Sequence, residues 1–127
     1  MNIGIYGGTF DPPHVGHVTA AKAAMEALHL DKLLLIPDRQ PPHKALAADG
    51  AGMQQRYDMT VLATAELGKR AEVSDMELRR TGASYTADTL TTLREQYPED
   101  TLYLLMGSDM FLSLHTWHDP SRVMALA

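Results

Sequence analysis

The stretch from Asn2 to Met25, NIGIYGGTFDPPHVGHVTAAKAAM, decides how the rest of the chain is interpreted. It passes from an apolar segment through two glycines and two prolines into an alanine-rich segment, and His14 and His17 lie at the boundary. Asn2–Tyr6 predicts a short buried strand that the glycine pair interrupts. A helix is predicted over Val15–Leu28, with its apolar residues at helical spacing, namely Val15, Val18, Ala21, Met25 and Leu28. The stretch therefore predicts a strand, a glycine bend and the N-terminus of a helix.

Apolar segments alternate with helical segments along the rest of the chain, which favours strands joined by crossover helices. We predict further strands over Lys32–Pro37, Ala71–Leu78 and Thr101–Asp109. We predict helices over Met53–Leu67 (with Met59, Leu62, Ala63 and Leu67 as its buried stripe), Ala87–Tyr97 with Thr86 as N-cap, Met110–Leu114, and from Pro120 with Asp119 as N-cap. This order is typical of an α/β fold with a doubly wound parallel sheet, here as a single domain over residues 1–127.

The handedness of crossover connections places every strand-to-helix loop at the carboxyl edge of such a sheet. That edge would collect the four segments Gly7–His17, Arg39–Lys44, Ser84–Thr86 and Gly107–Trp117. They carry nearly all of the chemically unusual residues, so we expect the functional site at this edge.

Composition excludes several classes of function. The 127 residues contain no cysteine, which rules out disulfides, a thiol nucleophile and thiolate metal sites. The formal net charge of −5 argues against a nucleic-acid partner. No apolar run approaches the roughly 20 residues of a membrane span, so we expect no membrane partner and a cytoplasmic location.

The glycine bend is a candidate anion site. Free backbone N–H groups and the helix dipole favour a phosphate where a strand turns into a helix. Gly7 and Gly8 would let phosphates come close, and Thr9 and Phe10 would offer backbone N–H groups. The pattern is neither a Walker A motif nor G-x-G-x-x-G, and a glycine pair after a strand is also compatible with an ordinary tight turn.

His14 and His17 strengthen the phosphate interpretation. Residues at i and i+3 in the first helical turn lie on one face, and Gly16 between them carries no side chain. Two imidazoles there could hold a triphosphate and stabilise the charge that develops during its reaction. The alternatives are two solvent-facing histidines, or a zinc pair that lacks an evident third ligand. We expect no protein-bound metal, and we expect His43, His115 and His118 to be structural or solvent-facing.

The motif GGTFDPPHVGH (Gly7–His17) resembles the H-x-G-H signature of the nucleotidylyltransferase superfamily. Three further segments look more specifically like bacterial-type nicotinate-mononucleotide adenylyltransferases: IPDRQPPHK (Ile36–Lys44), SYTADTL (Ser84–Leu90) and GSDMFLSLHTWHD (Gly107–Asp119). The resemblance implies a Rossmann-like nucleotidylyltransferase fold and an enzyme of NAD biosynthesis. Such an enzyme joins ATP, with Mg²⁺, to nicotinate mononucleotide and gives deamido-NAD and pyrophosphate by in-line attack.

The resemblance also implies roles for individual residues. His14 and His17 would be catalytic. ATP would contact Gly7, Gly8, Thr9, Phe10, His14, His17, Gly107 and Asp109, and nicotinate mononucleotide would contact Lys44, Tyr85, Thr86, Asp109 and Trp117. Each residue of the second set has a structural alternative. Lys44 could be a solvated loop residue, Thr86 a helix cap, Tyr85 packing, Trp117 a core anchor, and Asp109 a cap or an ion-pair partner.

Chains of this kind usually continue with a further strand and a segment rich in serine, threonine and arginine that binds ATP phosphates. Residues 1–127 contain no match to that segment, so we expect a domain that is incomplete at its C-terminus. An exposed sheet edge there would favour a homo-oligomer. Two other functions remain open: a sister nucleotidylyltransferase, such as a phosphopantetheine adenylyltransferase, and a non-catalytic nucleotide-binding module.

Overall fold

The computed structural model describes residues 1–8, 10, 13–38, 52–80, 85–106 and 112–127. Its strands are β1 (Asn2–Gly8), β2 (Lys32–Pro37), β3 (Ala71–Val73) and β4 (Thr101–Leu105). Its α-helices are α1 (Val15–Ala27), α2 (Met53–Ala63), α3 (Thr86–Gln96) and α4 (Pro120–Leu126), with short 3₁₀ helices at Ala65–Leu67 and Leu114–Thr116. Within this part of the chain, no helix is both long and apolar enough to cross a membrane.

The sheet is parallel, with the strand order β3-β2-β1-β4. The chain moves outward in one direction from β1 to β3 and then crosses back to place β4 on the other side of β1. Such a reversal in an open parallel sheet creates a topological switch point between β1 and β4. The predicted doubly wound α/β fold is confirmed.

Alternate residues of the central strands pack on opposite faces of the sheet. Ile3, Ile5, Leu34 and Ile36 join a core cluster with residues of α3 and α4. On the other face, the leucines at 33 and 35 pack with residues of α1. Because both faces are covered, β2 is an uninterrupted apolar run and shows no alternation of polar and apolar residues.

Two strand predictions were wrong at their ends. β1 does not stop at Tyr6, because Gly7 and Gly8 continue its pairing with the end of β2. β3 does not extend to Leu78, because it ends at Val73 and residues 75–79 form turns. The Ser74 N–H makes a final bond to the Leu35 carbonyl (2.8 Å), and the Ser74 hydroxyl then accepts from the Met76 N–H (3.3 Å). This side chain–backbone bond favours a turn over a longer strand.

Helix positions were predicted better than helix faces. In α1, Val18, Ala21 and Met25 are buried as expected, but Val15 is 80% exposed because it is the first helical residue. In α2, the predicted apolar stripe is wrong at Leu62, which is 78% exposed, and the fully buried positions are instead Arg56 and Thr60. The other members of the stripe are half-buried, and Leu67 packs against the core just after the helix. The cause is that α2 packs mainly on β2 and β3 near the edge of the sheet through its partly polar face.

The starts of α3 and α4 lie within one residue of their predicted positions. Tyr85, not Thr86, is the N-cap residue of α3, and Thr86 is its first helical residue. Asp119 is the N-cap residue of α4 and Pro120 follows at the first helical position, as predicted. β4 ends at Leu105, and Asp109 lies outside the described residues together with Met110 and Phe111 of the predicted helical turn. The described part of that turn is helical at Leu112 and continues into the 3₁₀ helix Leu114–Thr116.

Candidate functional site

A cleft opens at the carboxyl ends of β1, β2 and β4, across the switch point of the sheet. It encloses about 1040 Å³ of space, part of which is open to solvent. The residues that line it are Ile5, Tyr6, Gly7, Gly8, His17, Ile36, Asp38, Glu77, Tyr85, Thr86, Thr89, Leu104, Leu105, Met106, Trp117 and His118. Ligands of open α/β sheets bind in this position, so the cleft is the candidate site.

The histidine pair, His14 and His17, caps the start of α1 reciprocally. The Nδ1 atom of His14 accepts a hydrogen bond from the backbone N–H of Gly16 (3.0 Å). The Nδ1 atom of His17 accepts one from the backbone N–H of His14 (3.0 Å). The ring centroids are 3.9 Å apart. These bonds fix both rings at the helix start, where the dipole favours an anion.

This cap determines the proton arrangement of the histidine pair. A ring nitrogen that accepts a hydrogen bond carries no proton, so each neutral ring has its proton on Nε2. Burial, together with the neighbouring His14, lowers the pKa of His17 below its ordinary value of about 6.5. In this cap, each ring therefore presents its Nε2–H group as a donor.

Aromatic side chains pack against the ring of His17. Its ring contacts Phe10 edge-on (centroids 5.0 Å apart), and Phe10 in turn contacts Tyr6 (5.8 Å). Phe10 is only 2% exposed, so its side chain belongs to the core. Its backbone has a positive φ of 50°. A Cβ atom at Gly8 would lie 3.3 Å from the Phe10 ring. Glycine at position 8 therefore leaves space for the Phe10 ring. This is a second reason for glycine there, besides the predicted approach of phosphates.

The opposite side of the cleft is aromatic. The rings of Tyr85 and His118 stack with centroids 4.3 Å apart. Trp117 is half-buried in the same wall, and its indole N–H donates to the Ser113 hydroxyl (3.4 Å). We call Tyr85, Trp117 and His118 the ring wall. His118 is exposed, as expected, but its place in the wall was missed, because no spacing rule connects it to Tyr85.

A carboxyl pair, the half-buried Asp38 and the buried Glu77, lines the cleft between these two sides. The two carboxyl groups are hydrogen-bonded to each other, and Glu77 Oε2 also accepts from the Thr89 hydroxyl (2.8 Å). Arg80 Nη1 donates to the same hydroxyl (2.6 Å). Burial and the adjacent Asp38 raise the pKa of Glu77 to about 8. Sequence analysis missed this pair, because Glu77 fell in a predicted strand and Asp38 in a loop.

The structure brings most of the describable predicted site residues to one place. Gly7, Gly8, His17, Tyr85, Thr86 and Trp117 all line the cleft. His14 and Phe10 are not among the lining residues but contact His17. Thr9, Lys44, Gly107 and Asp109 lie outside the described residues, so their roles stay predictions.

The sequence pattern of the cytidylyltransferase-like family matches residues 5–126. The chain therefore belongs to this family, and the resemblance carried by the H-x-G-H motif is confirmed.

Within that family, the chain is similar to proteins named as nicotinate-nucleotide adenylyltransferases. A probable enzyme of this name from Thermus thermophilus is 44% identical over 97% of this chain. One from Pelobacter propionicus is 48% identical over 92% of this chain. The chain spans 64% and 53% of the length of these two relatives.

Solved structures agree on the fold. The Plasmodium falciparum nicotinic acid mononucleotide adenylyltransferase complexed with NaAD superimposes with a TM-score of 0.83 at 24% identity, over 96% of this chain and 59% of that one. A putative nicotinate-nucleotide adenylyltransferase from Vibrio parahaemolyticus gives 0.77 at 23% identity, over 98% of this chain and 72% of that one. The Rossmann-like nucleotidylyltransferase fold is thereby confirmed.

Proposed function

We propose that the chain forms the mononucleotide-binding and catalytic part of a nicotinate-nucleotide adenylyltransferase. The reaction joins ATP and nicotinate mononucleotide to give deamido-NAD and pyrophosphate. The observation that carries the proposal is the shared cleft: His17 and the glycine bend line one side of it and the ring wall lines the other. Phosphate chemistry and a flat heterocycle would therefore meet within one cavity. The names of the similar proteins support the same reaction.

The histidine side would serve the reacting phosphates. The phosphate of the mononucleotide attacks the α-phosphorus of ATP, the bond to the β-phosphate oxygen breaks, and pyrophosphate leaves. Catalysis of such a transfer depends on positioning and on stabilisation of charge, which preorganised N–H donors provide. The Nε2–H groups of His14 and His17 are such donors, since their Nδ1 atoms are already engaged in the helix cap.

Magnesium would enter as part of the MgATP substrate. Among the described residues, no group of three or more histidine and acidic side chains could hold a metal ion. The triphosphate and water would therefore supply most of the magnesium ligands, in keeping with the preference of Mg²⁺ for phosphate and water oxygens.

The ring wall would bind the pyridine ring of the mononucleotide. Aromatic rings associate by offset or edge-on stacking, and the half-buried indole of Trp117 offers a flat surface for this. Thr86 is the first residue of α3, so its free backbone N–H lies at a helix start that favours the nicotinate carboxylate. Lys44 would meet the mononucleotide phosphate, and Asp109 would accept from ribose hydroxyls. A cytoplasmic location and self-association fit this function and stay predictions.

The test is pyrophosphate release from ATP with a panel of acceptors: nicotinate mononucleotide, nicotinamide mononucleotide and 4′-phosphopantetheine. The proposal expects release with a pyridine mononucleotide and none with phosphopantetheine. Direct binding of each acceptor is measured in parallel by calorimetry. Preference for phosphopantetheine would favour the sister transferase, whereas binding without release would favour a non-catalytic module.

A further inference from the structure

The cleft contains two groups that the proposed reaction does not use, namely the carboxyl pair Asp38 and Glu77. Glu77 is only 6% exposed, and its carboxyl group is hydrogen-bonded to that of Asp38. Two ionised carboxylates have no hydrogen to share, so such a bond requires a proton on one of them. The group that holds this proton is the more deeply buried Glu77, whose carboxylate form would be the costlier one to desolvate.

The pair connects three loops at the carboxyl edge of the sheet. The Asp38 backbone N–H donates to the Gly8 carbonyl (2.9 Å), which ties the end of β2 to the glycine bend. The Asp38 side chain bonds to Glu77, in the turns after β3. Glu77 accepts from Thr89, in the first turns of α3. Hydrogen bonds therefore connect the phosphate side of the cleft to the start of α3, where Tyr85 of the ring wall is the N-cap residue.

We infer that Glu77, in its protonated form, is a positioning residue for the pyridine mononucleotide, because it joins Asp38 beside the glycine bend to the first turns of α3. The inference rests on the proposed function, since it concerns binding of that substrate. Thr86 lies one helical turn before Thr89, so a displacement of Thr89 would move Thr86 and the adjacent Tyr85. The proton on Glu77 thus fixes the separation of the two sides of the cleft.

Charge balance supports the protonated form. Arg80 contributes one positive charge through Thr89 and Asp38 contributes one negative charge, so a neutral Glu77 leaves the cluster balanced. Ionisation of Glu77 would place two adjacent carboxylates in a buried site, where like charges are costly. Loss of the proton would therefore separate Asp38 from Glu77 and loosen the connection between the loops.

Two other titratable groups that line the cleft have pKa values shifted away from the range in which Glu77 would lose its proton. Burial raises the pKa of Tyr6 above its ordinary value of about 10. Burial and the neighbouring His14 lower the pKa of His17 below its ordinary value of about 6.5. The second pKa of a phosphate monoester is about 6, so the mononucleotide phosphate is almost fully ionised above about pH 7. The difference between wild type and Glu77→Gln over about pH 7 to pH 9 therefore reports on Glu77.

The experiment measures the affinity for nicotinate mononucleotide by calorimetry at about pH 7 and about pH 9 in wild type, Glu77→Gln and Glu77→Ala. A requirement for one bound proton weakens binding about tenfold per pH unit above the pKa. We expect about a tenfold loss in wild type at the higher pH. Glu77→Gln, whose amide donates as the protonated acid does, should bind like wild type at about pH 7 and change less than about twofold. Glu77→Ala should bind weakly at both values, and Glu66→Gln, an exposed site, should behave as wild type.

Two binding results would overturn the inference: an equal loss of affinity in wild type and Glu77→Gln at the higher pH, or Glu77→Gln as weak as Glu77→Ala at the lower pH. A second readout needs no ligand. Trp117 is the only tryptophan of the chain, so its emission reports on the ring wall alone.

If wild type binds no nicotinate mononucleotide at any pH, the proposed function fails, and the emission of Trp117 decides the role of Glu77. A one-proton transition in wild type near pH 8 that is absent from Glu77→Gln supports the inference. Identical emission profiles in the two proteins would contradict it. His118 is common to both proteins, so it does not affect the comparison.

Discussion

Two pairs of titratable side chains lie in or beside the cleft, and each contains a group that is kept uncharged by a different means. The histidine pair lies at an exposed helix start, where each Nδ1 accepts a backbone hydrogen bond that a protonated ring could not accept. In the carboxyl pair, Glu77 is buried and retains its proton because of desolvation and the adjacent Asp38. Local backbone chemistry governs the first pair and tertiary burial governs the second. The neutral form of His17 is therefore lost as the pH falls, whereas the neutral form of Glu77 is lost as the pH rises.

The largest expected effect is on turnover and concerns the histidine pair, because in the proposed function this pair contacts the reacting phosphates and the carboxyl pair does not. If His17 donates to the reacting phosphates, His17→Ala should lower turnover on the order of 10²–10³-fold, as for other preorganised donors. His115→Ala, at an exposed position that does not line the cleft, is the matched control and should leave turnover unchanged. Steady-state pyrophosphate release measures both variants. Turnover of His17→Ala within about threefold of wild type would remove His17 from the mechanism.

The carboxyl pair should affect stability more than the histidine pair does. Glu77→Ala leaves the Thr89 hydroxyl and Asp38 without their buried partner, which should lower the free energy of unfolding by about 1–3 kcal/mol. Glu77→Gln preserves both bonds and should cost less than about 1 kcal/mol. Urea unfolding at about pH 6 measures the two variants against wild type. Equal losses in both variants would mean that the carboxyl group is ionised in the folded protein.

The carboxyl pair also predicts that the free energy of unfolding decreases as the pH becomes alkaline. The pKa of Glu77 is about 8 in the folded protein and has its ordinary value of about 4.5 when unfolded. Between these values the unfolded chain binds fewer protons, so the free energy of unfolding falls as pH rises. Glu77→Gln should show a flatter profile over this range when urea unfolding is repeated across it. A profile as steep as that of wild type would assign the slope to another group.

The two pairs also show what sequence can predict. The histidine pair, the glycine bend and the start of α1 lie within eleven consecutive residues, so spacing rules and helix-end chemistry were sufficient to find them. The parallel sheet followed from apolar runs such as β2, which need cover on both faces. The carboxyl pair joins residues 39 positions apart in sequence, and Glu77 also bonds to a hydroxyl on a third element. No local pattern encodes that contact, and the early end of β3, which places Glu77 in a turn, is accompanied by the bond from the Met76 N–H to the Ser74 hydroxyl.

Gly16 offers a way to disturb the histidine pair without removing a ring. A Cβ atom there would lie 2.8 Å from Cε1 and 2.9 Å from Nδ1 of His14, so the exposed imidazole would have to leave its capping position. Gly16→Ala should lower turnover roughly tenfold, less than loss of His17 itself. Alanine is more favourable than glycine in a helix by up to about 1 kcal/mol. This gain should offset the loss of the His14 cap, so the free energy of unfolding should change little. Urea unfolding and pyrophosphate release together test this, and a large loss of stability with normal turnover would contradict it.

The smallest expected effect is a loss of stability on the acid side, governed by the histidine pair. The pKa of His17 is lowered in the folded protein, whereas in the unfolded chain it has its ordinary value of about 6.5. On acidification through this range the unfolded chain binds more protons, so the contribution of His17 is complete above about pH 6.5 and is lost below it.

His17→Gln isolates this contribution, because glutamine at the third helical position can accept the same N-terminal backbone bond and does not titrate. The variant should therefore lose less stability than wild type between about pH 7 and pH 5, as measured by urea unfolding. The remaining five histidines are common to both proteins, so their contributions cancel in the difference. A Glu77→Gln, His17→Gln double variant should flatten both sides of the profile additively if the two pairs are independent. Non-additivity would mean that the proton on Glu77 and the cap of α1 are coupled through the hydrogen bond between Asp38 and Gly8.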